Sequence, residues 1–398
     1  MRFFPGRFLA VVAALGVVAG LAPAASAAAS STAPSPRAGV GMAFDAARGQ
    51  VVLFGGESSG SAFDGDTWTW NASGWTQQHP AHSPSPRSYM AMAYDGARHD
   101  VVLFGGYDFG PIGETWTWNG TDWTLQSPAH SPPARYQASM AYDPTHHQVV
   151  LFGGAGGGFG DTWTWNGTDW TEQHPANAPF SRTGFGMATD PLGGVVLFGG
   201  DDGDDFLGDT WTWDGTDWNL RSPAHAPKAR SGVSMALDQA HGRVVLFAGR
   251  RFNDTWTWDG TDWTKRAPAH APAGRIFCPM ATDPADGGTL LFGPDTWTWD
   301  GANWTQHPEV SIKLNGHSGP PGGSTEVVGW GFLVSDTVKI YFVDSVHGKT
   351  LLLTLQADLV GTFTRGVTIP SNATHGKQRI LVKGVTSHQS AQVGYTVK

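Results

Sequence analysis

Short, uninterrupted apolar runs recur along this chain at nearly even intervals, and each is followed by a segment in which aromatic and hydroxyl residues alternate. The run Val-Val-Leu-Phe-Gly-Gly begins at Val51, Val101, Val149 and Val195, with Val-Val-Leu-Phe-Ala-Gly at Val244 and Thr-Leu-Leu-Phe-Gly-Pro at Thr289. Downstream, Trp-Thr-Trp begins at Trp68, Trp116, Trp163, Trp211, Trp256 and Trp297, and a third tryptophan closes each unit at Trp75, Trp123, Trp170, Trp218, Trp263 and Trp304. Upstream stands an arginine (Arg37, Arg87, Arg135, Arg182, Arg230, Arg275), with a methionine five residues on (Met42, Met92, Met140, Met187, Met235, Met280). The pattern predicts four strands per unit. Strand a runs from the arginine to the Met-Ala step. Strand b is the apolar run, continuous because both of its faces are covered. Strand c is the Asp-Thr-Trp-Thr-Trp segment, whose period of two sets both tryptophans on one face. An Asn-Gly or Asp-Gly turn then leads into strand d.

Four strands per unit at a spacing of 41–48 residues is the pattern of a propeller blade. The double glycine after an apolar strand, followed by spaced tryptophans, resembles the kelch repeat. That resemblance covers about residues 35–308 and implies an all-β fold: a six-bladed kelch-type β-propeller, similar to the central domain of galactose oxidase. The last two units depart from the pattern, with Ala248 and Pro294 in place of glycines. An isolated blade leaves both sheet faces bare, so the tryptophans, Trp68, Trp116, Trp163, Trp211, Trp256 and Trp297 among them, read as wedges between stacked blades, each burying on the order of 200 Å². No closing blade split between the two chain ends is evident. After Pro308 the repeat stops. Six alternating or apolar segments follow, from Ser324 to Lys398, and predict a small Ig-like β-sandwich over 309–398. Its Gly329–Phe332 stretch resembles bacterial modules of the IPT/TIG type.

The first 27 residues read as a secretory signal peptide: Arg2 and Arg7, an apolar stretch from Phe8 to Leu21, and Ala25-Ser26-Ala27 as the cleavage site. Residues 28–36 are a linker and 37–308 the propeller. The expected location is extracellular, with no membrane insertion. Past position 308 the chain carries eight basic and five acidic residues; before it, with the two leader arginines set aside, fifteen basic and twenty-nine acidic. An acidic surface repels nucleic acid, which is excluded as a partner.

In a four-strand meander, the b–c and d–a connections share one end. The opposite end carries the uniform Asn-Gly-Thr-Asp turns, so variation concentrates at the first. There the b–c tips hold Phe63, Asp64, Tyr107, Asp108, Phe109, Phe159, Asp201, Asp202, Asp204, Asp205 and Phe206. Aromatic rings beside carboxylates suit sugar rings and hydroxyls, or a basic protein partner. The acids Asp201, Asp202, Asp204 and Asp205 are the weak calcium candidates, although they lack the full spacing of a calcium loop. The arginines Arg87, Arg135, Arg182, Arg230 and Arg275, with Arg37, face one acid per unit (Asp66, Glu114, Asp161, Asp209, Asp254, Asp295). Partly buried ion pairs between neighbouring strands are their expected role. His82, His130, His225 and His270 recur with the repeat and read as inherited structure, not as a shared metal site.

Likeness to galactose oxidase implies a copper site built from a tyrosine cross-linked to a cysteine, a second tyrosine and two histidines. The sole cysteine, Cys278, aligns with Val40, Met90, Ala138, Phe185 and Val233, which marks it as a buried small hydrophobe. No hydrolase or phosphate-loop motif is present. The sequence therefore points to a secreted, non-catalytic kelch-repeat protein that needs no cofactor and binds a glycan or protein at the variable end. A copper-dependent carbohydrate oxidase and a structural envelope or matrix component are the alternatives.

Overall fold

The computed structural model describes residues 33–35, 37–58, 62–71, 74–250, 252–283, 288–293, 295–307, 311–330, 337–356, 363–385 and 390–398. The signal-peptide reading of residues 1–27 lies outside them. The described residues form strands, turns and loops, with no helix.

Six four-stranded antiparallel sheets follow one another along the chain, five of them built from consecutive strands; in the first, the short strands Glu57–Ser58 and Ala62–Phe63 intervene and join Arg37–Ala38 in a small sheet of their own. Strand a of each blade (Gly41–Asp45, Ala91–Asp95, Ser139–Asp143, Gly186–Thr189, Ser234–Asp238, Met280–Asp283) lies innermost. It touches strand a of the blades before and after it, and the first also touches the last. The sheets thus close a ring, and the molecule contains a six-bladed β-propeller. Strand a starts later than the sequence predicts. The second residue after each arginine adopts a left-handed backbone, which interrupts the strand.

The apolar run of strand b divides its side chains between two joints. Val149 and Leu151 face Trp163, Trp165 and Trp170 of their own blade, while Val150 and Phe152 face the next blade. The same division recurs in every blade and explains why this strand has no polar face. Each third tryptophan locks a joint twice. Trp170 sets its ring edge-on to Phe104 of the preceding blade at 5.3 Å and donates its indole N–H to Thr115 Oγ1 at 2.9 Å. Trp123, Trp218, Trp263 and Trp304 repeat both contacts with the blade before them. The seam is made the same way: Trp75 of the first blade meets Phe292 of the sixth at 5.4 Å and donates to Thr296 Oγ1 at 3.0 Å. No strand is shared between the chain ends in these sheets, and Ala33 packs against the seam cluster.

At the end carrying the a–b turns, sequence reasoning passed over a ring of six buried aspartates: Asp45, Asp95, Asp143, Asp190, Asp238 and Asp283. Four pair with a turn arginine or histidine (Arg48, Arg98, His146, His241). The other two accept an indole N–H from a neighbouring blade, Trp258 to Asp190 and Trp70 to Asp283. The ring is structural.

Past the propeller, a three-stranded sheet (Ser311–Asn315, Ser324–Trp330, Phe363–Thr368) and a five-stranded sheet (Ser318–Gly319, Thr337–Asp344, Gly348–Gln356, Gly376–Gly384, Ser390–Val397) enclose one apolar core. Ser311–Asn315 and Ser318–Gly319 were not evident from the hydrophobic pattern. The second is a two-residue strand held by parallel pairing with Thr396–Val397, which no periodicity announces.

Candidate binding face

Each of the six arginines stands at the entry to strand a and reaches over the end of strand b to the acid before strand c of the same blade. Arg135 donates through Nη1 and Nη2 to both oxygens of Asp161 at 2.6 and 2.7 Å, and through Nη1 to Gly153 O at 3.1 Å. Arg182 holds Asp209 identically. The acids also accept the first tryptophan's indole N–H, Trp163 on Asp161 at 2.7 Å and Trp211 on Asp209 at 2.6 Å. The pairs thus bridge first and third strands of a blade, not neighbouring strands as expected, because strand b ends below them or, in blade four, breaks register there between Phe198 and Gly200. They fix the height from which every b–c connection departs.

One step inward, the left-handed residues (Gly39, Tyr89, Gln137, Gly184, Gly232 and Phe277, one per blade) encircle the axis. Their backbones link blade to blade. Tyr89 N donates to Gly39 O at 2.6 Å, Gln137 N to Tyr89 O at 2.9 Å, Gly232 N to Gly184 O at 2.6 Å and Phe277 N to Gly232 O at 3.2 Å. This belt requires positive φ, which glycine adopts freely and Tyr89, Gln137 and Phe277 adopt at a cost of about 1 kcal/mol or more each. They line an axial pocket of about 180 Å³. Tyr89 and Phe277 meet edge to face across its mouth at 5.8 Å. The six methionines floor it and also line a second axial pocket of about 510 Å³ at the far end.

The predicted b–c residues fall into three groups. Phe63 meets Phe109 at 5.2 Å and Tyr107 at 6.1 Å, and Tyr107 meets Tyr136 at 5.0 Å. This aromatic cluster spans blades one to three, and Phe109, itself left-handed at φ 51°, is 83% exposed. Exposed Asp108 neighbours it, while Asp64 turns inward to 3.4 Å from the Arg37 guanidinium. Tyr136 was not among the predicted loop residues; it enters only because its two-residue bridge with Ala155 lifts it beside Tyr107. Phe159 stands apart, its ring 3.9 Å from the Arg135 guanidinium. In blade four, strands b and c run on as Val195–Asp201 and Phe206–Trp213, so the expected loop is the tip of a raised hairpin. There Asp202 accepts the backbone N–H groups of Asp205 at 2.8 Å and Asp204 at 3.1 Å, which hold its carboxyl low, and Asp201 accepts that of Gly203 at 2.9 Å. Phe206 lies beneath the Arg250 guanidinium at 5.4 Å.

The copper chemistry of the galactose-oxidase likeness does not fit the residues present. Burial pushes the Cys278 thiol up to about 11, and its Sγ lies 3.6 Å from Ile276 O. Tyr89 and Tyr136 pair with Phe277 and Tyr107. His82, His130 and His225 each meet an aspartate in the next blade's c–d turn at 2.8 Å. Among the described residues no group of three or more His, Cys, Asp or Glu side chains gathers around a point.

No family model matches the chain, and no curated protein matches it. Two solved structures illustrate what it is similar to. The SapL1 lectin in complex with α-methyl fucoside aligns at a TM-score of 0.49 with 12% identity, covering 68% of this chain and 95% of that one. The fucose-specific lectin from Aleuria aurantia aligns at 0.43 with 13% identity, covering 86% and 100%.

Proposed function

We propose that this chain is a secreted protein that performs no catalysis and binds a glycan at the b–c/d–a end of its propeller. The carrying observation is the cluster of Phe63, Tyr107, Phe109 and Tyr136. These rings come from three blades on short, hydrogen-bonded connections, and the outermost is almost wholly exposed beside the exposed Asp108. An exposed apolar ring fixed in a left-handed backbone costs stability without adding to the core, which is the mark of a surface kept for a ligand. Stacking on a sugar ring and hydrogen bonding to its hydroxyls are what aromatic and carboxylate groups supply. The kelch resemblance and an Ig-like spacer role for the C-terminal sheets belong to the same reading.

Glycan-array screening of the mature chain, followed by titration calorimetry, tests this. Phe109→Ala is expected to weaken the best glycan about tenfold with the fold intact. Retention of no glycan, or indifference to that substitution, would refute the reading. Capture of a protein by the same face would place the ligand in the other class. One copper per chain after dialysis, lost in Cys278→Ala, would establish an oxidase instead.

A further inference from the structure

The sixth blade breaks the arginine pattern. In the second to fifth blades the guanidinium is sealed, with 0% side-chain exposure, and in the first it is 3% exposed; Arg275 is 9% exposed. In the other five blades it also donates to the carbonyl that ends strand b. Arg275 makes no such bond. It donates through Nη1 to Asp295 at 2.6 Å and through Nε to Ala273 O at 3.0 Å, leaving Nη2 without a partner among the described residues. The second oxygen of Asp295 is taken by Gln306 Nε2 at 2.9 Å, and the Trp297 indole N–H, which the pattern would place on that acid, has no partner among the described residues. The cause is legible in the chain. Strand b ends at Phe292 and strand c begins at Thr296, so no b–c loop folds over the guanidinium.

The uncovered Arg275 borders an open pocket of about 450 Å³, with Gly249, Arg250, Phe252, Asn253 and Ile276 among the lining residues. Arg250 is exposed, and no carboxylate pairs with it among the described residues; its guanidinium lies over the Phe206 ring at 5.4 Å. Phe252 is held by its stack on Arg230 at 3.9 Å. No acid lines the pocket; Asp254, next in sequence to Asn253, is bound by Arg230, and Asp295 is bound by Arg275. The guanidinium of Arg250 and the open Nη2 of Arg275, which is otherwise paired with Asp295, stand beside a fixed aromatic ring on a chain of formal net charge −9 and form a local donor site on an acidic molecule. Guanidinium groups recognise planar and tetrahedral oxyanions through charge-assisted hydrogen bonds.

We propose that this pocket between blades five and six is the subsite for an anionic substituent of the glycan, a uronate carboxylate or a sulfate, with Arg275 Nη2 and Arg250 as its donors. The inference rests on the glycan-binding reading and narrows its ligand class to acidic saccharides. Titration calorimetry on the full mature chain would compare a uronic-acid oligosaccharide, its carboxyl-reduced form and a sulfated form of the same chain length. The expected result is at least tenfold tighter binding of a charged form, since hydrogen bonds to charged groups are roughly twice as strong as neutral ones. Arg250→Gln should weaken the charged ligand about tenfold and leave the reduced one unchanged, while Arg275→Gln should do the same if circular dichroism shows it folded. Preference between carboxylate and sulfate tells the two sources apart. Equal binding of charged and reduced forms, or insensitivity to Arg250→Gln, would overturn the subsite while leaving the glycan reading standing. Binding of none of the three would overturn the subsite, and the glycan array then decides the glycan reading separately.

Discussion

At the scale of single residues, the left-handed belt is the most informative feature. Glycine fills it in three blades, and Tyr89, Gln137 and Phe277 fill it in the others. A side chain kept where glycine would be easier is kept for what it presents, here the mouth of the axial pocket. Gln137→Gly should therefore stabilise the protein by about 1 kcal/mol in chemical denaturation, because its backbone bond to Tyr89 O is retained and the strain is relieved. Tyr89→Gly should gain nothing, since it also deletes the contact with Phe277. A loss of stability in Gln137→Gly would show that the side chain contributes to the fold and not to a ligand. The repeat made these positions visible only as a column after each arginine. Their backbone sign was hidden, because Tyr, Gln and Phe ordinarily avoid positive φ.

At the scale of the element, the bridge from arginine to acid to indole sets where strands a and c begin. Burial works to raise the carboxyl groups of Asp161, Asp209 and Asp254, but hydrogen bonds from arginine and tryptophan, with the guanidinium charge, outweigh it and hold all three below the ordinary value. A carboxylate held low in the folded state contributes stability that is complete above its unfolded pKa and lost as pH falls through the folded value. Asp95 and Asp190 shift the other way, pushed up by burial, so their protonation on acidification returns some stability first. Thermal melts from pH 7 to pH 2.5 should accordingly stay nearly level to about pH 4 and drop steeply below it. A decline beginning above pH 5 would contradict this assignment of the bridges. The bridges were foreseen from one arginine and one acid per unit, but assigned to neighbouring strands. Sequence order cannot show that strand b stops short and lets a side chain cross over it.

At the scale of the whole molecule, the ring is closed by chemistry and not by an exchanged strand. The seam repeats the joint found at every other blade boundary, an indole edge-on to a phenylalanine and hydrogen-bonded to a threonine. Trp75→Ala and Trp170→Ala should each cost about 3–5 kcal/mol, with the seam variant slightly milder because Trp75 is the more exposed of the two. A much smaller cost at Trp75, measured by denaturant titration, would mean that the seam opens before the blades unfold.

Much of this architecture was determined by the sequence alone. An apolar run with no polar face must be covered on both sides, and a tryptophan repeated at fixed spacing must meet the same neighbour each time. Those two demands lead to six stacked blades and to a structural role for the tryptophans. Only the tertiary structure decided how the variable end is shared out. Phe63, Phe109 and Tyr107 gathered into one surface with Tyr136, Phe159 was drawn onto Arg135, and the carboxylates of Asp201 and Asp202 turned to the backbone of their own hairpin tip. The physical reason is distance along the chain. Packing repeats locally and leaves a periodic trace, whereas a binding surface is assembled from residues tens of positions apart, whose meeting depends on the closure of the ring.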